Sequence, residues 1–205
     1  FPKQPVDVVC QLVDNHRTVR SSLKHRVNPR DILIRDRSSE QQTQWRYLRQ
    51  GGDSRDCIDV AFVAEGYTEA EMPAFLAVCD SSIMALEAHE PFRSMMDRFN
   101  FVAVMPPSRD SGVSIPHLGQ WKNTALASSF DTFYSNRNLT TLHLQRLYDV
   151  MTAIPFEHFI ILANTTEYGG GGIYNQLTVS TSDHPTFKQV LVHEFGHGYA
   201  GLGDE

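Results

Sequence analysis

His193-Glu194-Phe195-Gly196-His197 puts two imidazoles and a carboxylate within one short stretch. Residues four apart on a helix lie on one face, about one turn apart, so both rings can grip a single Zn²⁺. The glutamate between them then stands beside the metal without binding it, where it can take a proton from zinc-bound water. Catalytic zinc takes three protein ligands and keeps a fourth position for water or substrate. In the metzincin pattern the third ligand follows a glycine that bends the chain beneath the metal. Gly201-Leu202-Gly203-Asp204 keeps that glycine-to-ligand interval, with the glycine one residue later. Asp204 is therefore the expected third ligand, with Glu205 as the alternative. Glu194 is expected as general base, later returning its proton to the leaving amine.

Several elements must hold these groups in place. Phe187, Val190, Leu191 and Phe195 recur at helical spacing, so a helix is expected to carry both histidines until Gly201 and Gly203 stop it. Upstream, Cys57–Ala64, Phe101–Met105 and Phe159–Leu162 are apolar runs of strand length. Thr68 with Glu71 forms a capping-box pattern for a helix to about Glu90. A second helix is expected over Leu139–Ile154, and Pro106–Gly119 reads as a loop. This order predicts an α/β fold, a mixed sheet with helices packed on one face or both.

Tyr168 and the tract Gly169–Gly172 precede an expected edge strand over Ile173–Ser182. The tract lacks the Lys-Ser/Thr of a phosphate loop. Its glycines allow close backbone approach, and the strand beyond offers N–H and C=O groups to an extended peptide. Gly171, Gly172, Ile173 and Tyr174 are the candidate substrate-binding residues. Tyr168 and Asn175 are further cleft candidates; for these two and for Tyr174, core or turn packing is an equal alternative. His143, His158 and His184 stand alone and read as structural or solvent-facing. Asn138-Leu139-Thr140 and Asn164-Thr165-Thr166 are sequons by pattern.

The chain has 205 residues, 41% of them hydrophobic, and no apolar run approaches the ~20 residues that span a bilayer. Its net charge of −6 is uneven. Residues 1–55 carry eleven Lys and Arg against six Asp and Glu, and the remainder seven against eighteen. The asymmetry suggests two units: a β-rich accessory segment over 1–52, with β-like runs at Val6–Val13, Asp31–Arg35 and Trp45–Arg49, and a catalytic domain over 53–205. Arg49-Gln-Gly-Gly-Asp-Ser reads as the linker between them. The acidic charge of the larger unit argues against nucleic acid as its partner. Cys10, Cys57 and Cys79 lack metal-ligand spacing. The chain begins with Phe1 and carries no export signal, so a processed product is expected.

Asn164-Thr165, Tyr168-Gly-Gly-Gly-Gly-Ile-Tyr-Asn175 and Val192-His-Glu-Phe-Gly-His-Gly-Tyr-Ala-Gly-Leu-Gly-Asp-Glu205 together resemble the M64 family of metallopeptidases, the group named after IgA peptidase. Val63-Ala-Glu-Gly-Tyr-Thr68 and the Ser108–Gly112 loop are similar as well. The resemblance covers roughly residues 53–205, with 1–52 similar to the end of a small β-rich N-terminal domain. It implies a bacterial zinc peptidase, secreted or at the cell surface, with a metzincin-like catalytic domain and a protein or peptide substrate. It does not carry IgA over as that substrate. Family members continue past the Asp-Glu pair into a C-terminal subdomain, which in metzincins holds a methionine turn. Here the last methionine is Met151, so a C-terminally truncated domain is expected. Zinc-dependent endopeptidase is the resulting expectation. The alternative is an inactive metallopeptidase-like module that recognises extracellular proteins. A metal-dependent amidase or deacetylase ranks below both, since HExxH is tied to peptide hydrolysis. Cleavage preference and oligomeric state have no signature in the sequence.

Overall fold

The computed structural model describes residues 3–34 and 42–204. The chain divides into two compact units, Phe1–Glu40 and Gln41–Glu205. The first is an antiparallel hairpin of β1 (Val6–Val13) and β2 (Val19–Val27). Asp14 builds its turn: the carboxylate accepts the His16 and Thr18 amides, both at 2.9 Å, and the Arg20 guanidinium. The expected strand at Asp31–Arg35 is instead a turn over residues 31–34, where the Asp31 and Ile34 amides bond back to the Asn28 and Asp31 carbonyls. Arg35 lies outside the described residues.

Trp45–Arg49 forms β3, but it belongs to the second unit, where it pairs antiparallel with β5 (Phe99–Val104). The division thus falls between residues 40 and 41, before the expected 52/53. Charge misplaced it because basic residues here are matched by acids of the same unit. Arg49 pairs with Glu87, and Arg55 meets Asp53 at 3.0 Å. The expected linker is a packed turn. The Gly51 amide donates to Phe99 O and Asn100 Oδ1, and a Cβ at Gly51 would come within 2.4 Å of Asp97 O.

Six strands form the sheet, in the order β3-β5-β4-β6-β8-β7. β4 (Ile58–Glu65) lies parallel to β5 and β6 (His158–Ala163), and β8 (Leu177–Thr181) lies parallel to β6. β7 (Gly170–Ile173) closes one edge, antiparallel to β8. The central strands are nearly continuous in apolar residues because both faces are covered. On one face Val60, Phe62 and Ala64 pack with α1 (Met72–Glu87) and α3 (Phe187–Ala200). On the other, Ala61, Val63 and Val102 pack with α2 (Leu144–Val150) and with Leu126, Phe130 and Leu139 of a long loop. The mixed α/β expectation holds, with helices on both faces.

Local chemistry fixes the boundaries. The Glu71 carboxylate accepts the Thr68 amide and hydroxyl at 2.8 and 2.7 Å, capping a short 3₁₀ turn that leads into α1. The expected Leu139–Ile154 helix shortens to α2. Its first part is held as loop by Thr141, whose hydroxyl donates to Leu126 O at 2.6 Å and accepts the His143 amide. The edge strand also differs from expectation. Leu177–Thr181 is paired on both sides, and the glycine tract itself is the edge.

Candidate metal centre

α3 turns Leu191 and Phe195 into the core, where both are buried, and this sends His193 and His197 out on the opposite side. Gly201 adopts φ 68° and ends the helix. The Gly201 and Leu202 amides fold back onto the His197 and Gly196 carbonyls, satisfying groups that a helix end leaves open. The turn needs glycine twice over, for its left-handed backbone and because a Cβ there would sit 2.8 Å from the Tyr174 ring.

That turn returns Asp204 to the histidines. His193 Nε2 and His197 Nε2 are 2.9 Å apart, and Asp204 Oδ1 lies 3.2 Å from the first and 3.1 Å from the second. Among the described residues this is the group of His, Cys, Asp and Glu side chains that converges tightly enough to share an ion. A tetrahedral zinc with N and O ligands at about 2.0–2.1 Å needs donor atoms about 3.3–3.4 Å apart. The observed triangle is only slightly tighter, and an N₂O donor set suits that ion. Glu205, the alternative ligand, lies outside the described residues.

His197 Nδ1 donates to Leu202 O at 2.6 Å, leaving Nε2 with its lone pair for the cluster. That carbonyl, followed by the nearby Asp204 and Glu194 charges, raises the His197 pKa despite partial burial. Burial raises the pKa of Glu194, opposed by the charges of His193 and His197 and by the amide of Gly172.

The glycine tract explains how Glu194 fits. A Cβ at Gly170 would stand 3.0 Å from Glu194 Cγ, and one at Gly172 would stand 2.6 Å from Glu194 O and 2.7 Å from His197 Cβ. The helix therefore rests directly on β7. Peptide groups of Gly170 and Gly172 face away from β8, as alternate residues of an antiparallel strand do. Those of Gly170 are already used: its amide donates to Arg137 O and its carbonyl accepts the Leu139 amide. The edge open to a partner is thus shorter than expected, beginning after Gly170.

All four candidate substrate-binding residues, Gly171, Gly172, Ile173 and Tyr174, line one cleft of about 520 Å³ with His193, Glu194, His197 and Asp204. Tyr168 lies elsewhere, with Arg137 over its ring and its edge to His184. Asn175 serves the turn, donating its amide to Gly198 O. His184 accepts the Thr186 amide at the start of α3, and His158 is buried. The Asn164 side-chain amide is engaged with Gly66 O at 3.0 Å. Sequence reasoning missed the opposite wall of the cleft, formed by Thr132, Phe133, Leu139 and Thr140. These sit in irregular chain with left-handed backbone at Phe133, which no periodicity reports.

No curated protein matches this chain. A family model described as IgA Peptidase M64 matches residues 47–205, well over half of the sequence, and the chain belongs to that family.

Proposed function

We propose that this chain is a zinc-dependent endopeptidase, with His193, His197 and Asp204 holding the metal and Glu194 as general base. The observation that carries the reading is the convergence of three donor atoms, all 2.9–3.2 Å apart, beside a half-buried glutamate. Membership in a peptidase family supports the reaction class, and the N₂O donor set supports zinc. Bound there, zinc would supply Lewis acidity, lowering the pKa of water toward ~7 and polarising a carbonyl oxygen. Glu194 accepts the proton of the attacking water at its carboxylate and delivers it to the departing amine. Its raised pKa brings it nearer the group it deprotonates. Gly171, Gly172, Ile173 and Tyr174 receive an extended peptide along the cleft edge. Apart from the proposed metal group and Glu194, the residues lining this cleft are uncharged, which favours uncharged substrate side chains near the cut. The expected place of action, outside a bacterial cell, is supported by the family resemblance.

The test is Glu194→Ala. The variant should bind zinc stoichiometrically and lose turnover by about 10³-fold or more, as expected when a general base is removed. Loss of zinc with that substitution would refute the role given to Glu194. A wild type that binds zinc and cleaves no peptide would refute the peptidase reading.

A further inference from the structure

Glu194 lies on a turn of α3 that is held from below by a buried polar chain. Thr178 on β8 is fully buried, and its Oγ1 lies 3.3 Å from Glu194 O and 2.9 Å from Nε2 of the buried His158 on β6. A threonine hydroxyl has one proton to give. Donated to the Glu194 carbonyl, it leaves the hydroxyl oxygen to accept, so His158 must carry its proton on Nε2. The sense of the chain is then single: His158 Nε2–H to Thr178 Oγ1–H to Glu194 O. No other order satisfies both contacts with a neutral imidazole.

The surroundings are shaped to this chain. Phe195 and Tyr199 stack at 4.9 Å, and the His158 ring meets both edge-on at 5.4 and 5.8 Å. Gly198 leaves room for the hydroxyl, since a Cβ there would stand 2.4 Å from Thr178 Oγ1. Across the strand pair from Thr178 is Gly172, where a Cβ would stand 2.6 Å from the same Glu194 carbonyl oxygen. The turn bearing Glu194 is thus seated on a Gly172–Thr178 pair, one member lacking a side chain and the other gripping the carbonyl.

We propose that Thr178 and His158 are positioning residues for Glu194: their hydrogen-bonded chain sets the height of the HExxH turn above β7 and β8, and so where the carboxylate stands in the cleft. The role in turnover rests on Glu194 being the base. The chain itself does not.

Two measurements test it. In isotope-labelled wild type, imidazole ¹⁵N spectra should show His158 as the Nε2–H tautomer; an Nδ1–H tautomer would overturn the proposal whether or not the protein cleaves peptides. Thr178→Val keeps the side-chain shape and removes the hydroxyl. It should lower kcat about ten- to a hundredfold with zinc content unchanged and KM within about twofold, because a misplaced base affects the chemical step rather than binding. Thr178→Ser, which restores the hydroxyl, should recover most of the rate. Thr178→Val with kcat within about twofold of wild type, or a Ser variant no better than Val, would sink the idea. Should the Val variant fail to fold, the tautomer still decides. A zinc-loaded wild type without peptidase activity, showing the Nε2–H tautomer, would remove the base assignment and leave the buried chain standing.

Discussion

At the scale of single residues, the carboxylate of Asp204 is the expected third ligand. Its distance from a turn-forming glycine singled it out, and the structure brings Oδ1 within 3.2 Å of both histidine nitrogens. Asp204→Asn keeps the shape and removes the charge. It should weaken zinc binding about a hundredfold or more in a chelator competition, since a neutral amide oxygen is a much weaker zinc donor than a carboxylate. Unchanged affinity would move the third ligand elsewhere. The partner of His197 was not legible. Leu202 acts through its backbone carbonyl, which every residue possesses, so no residue type announces the bond that leaves Nε2 free. His158 reads in the sequence only as structural or solvent-facing, and its link to Glu194 depends on a strand register that short-range patterns do not contain.

Among the elements, the glycine tract was noticed for a sound reason and placed wrongly. Close backbone approach was expected of it, and the approaching body is α3, with Glu194 and His197 against Gly170 and Gly172. The edge strand expected over Ile173–Ser182 is Gly170–Ile173 instead, where glycines have no side-chain alternation to detect. Gly172→Ala isolates the effect. The added methyl meets Glu194 O at 2.6 Å and Gly198 N at 2.9 Å, both backbone atoms. The helix must shift, at about 1–3 kcal/mol of stability by the usual cost of overpacking. Turnover should fall about a hundredfold, in keeping with a displaced base. Paired denaturation and kinetic measurements would check it; a variant as active as wild type would show that the helix does not rest on β7. The helix at Leu144–Val150 teaches the converse lesson. Leucines at helical spacing extended it toward Leu139, but Thr141 uses its hydroxyl on Leu126 O, and the chain there serves the cleft wall.

For the molecule as a whole, apolar strand runs and their alternation with helices point to a mixed sheet with helices on one face or both, and the structure covers both faces. Charge was a poorer guide, since arginines paired within the larger unit shifted the apparent boundary from residue 40 to residue 52. One charge effect on global stability does follow. Burial holds the His158 pKa down to about 4, against about 6.5 in an unfolded chain. The unfolded state therefore takes up the proton first as pH falls. The stability that neutral His158 secures is complete above about pH 6.5 and lost progressively down to about pH 4. Between pH 7 and pH 5 this single group should remove about 2 kcal/mol. Urea midpoints of metal-free protein at the two pH values would measure it, and His158→Asn should flatten the slope; an equally steep variant would assign the loss to other groups.

An edge of bare glycines is ordinarily a template on which one molecule can extend the sheet of another. Here the Arg137 and Leu139 backbone bonds occupy Gly170, and the Glu194 side chain stands before the Gly172 amide. What remains exposed is too short to nucleate a continuous intermolecular ladder. The same crossing segment that narrows the cleft thus also covers part of this edge of the sheet.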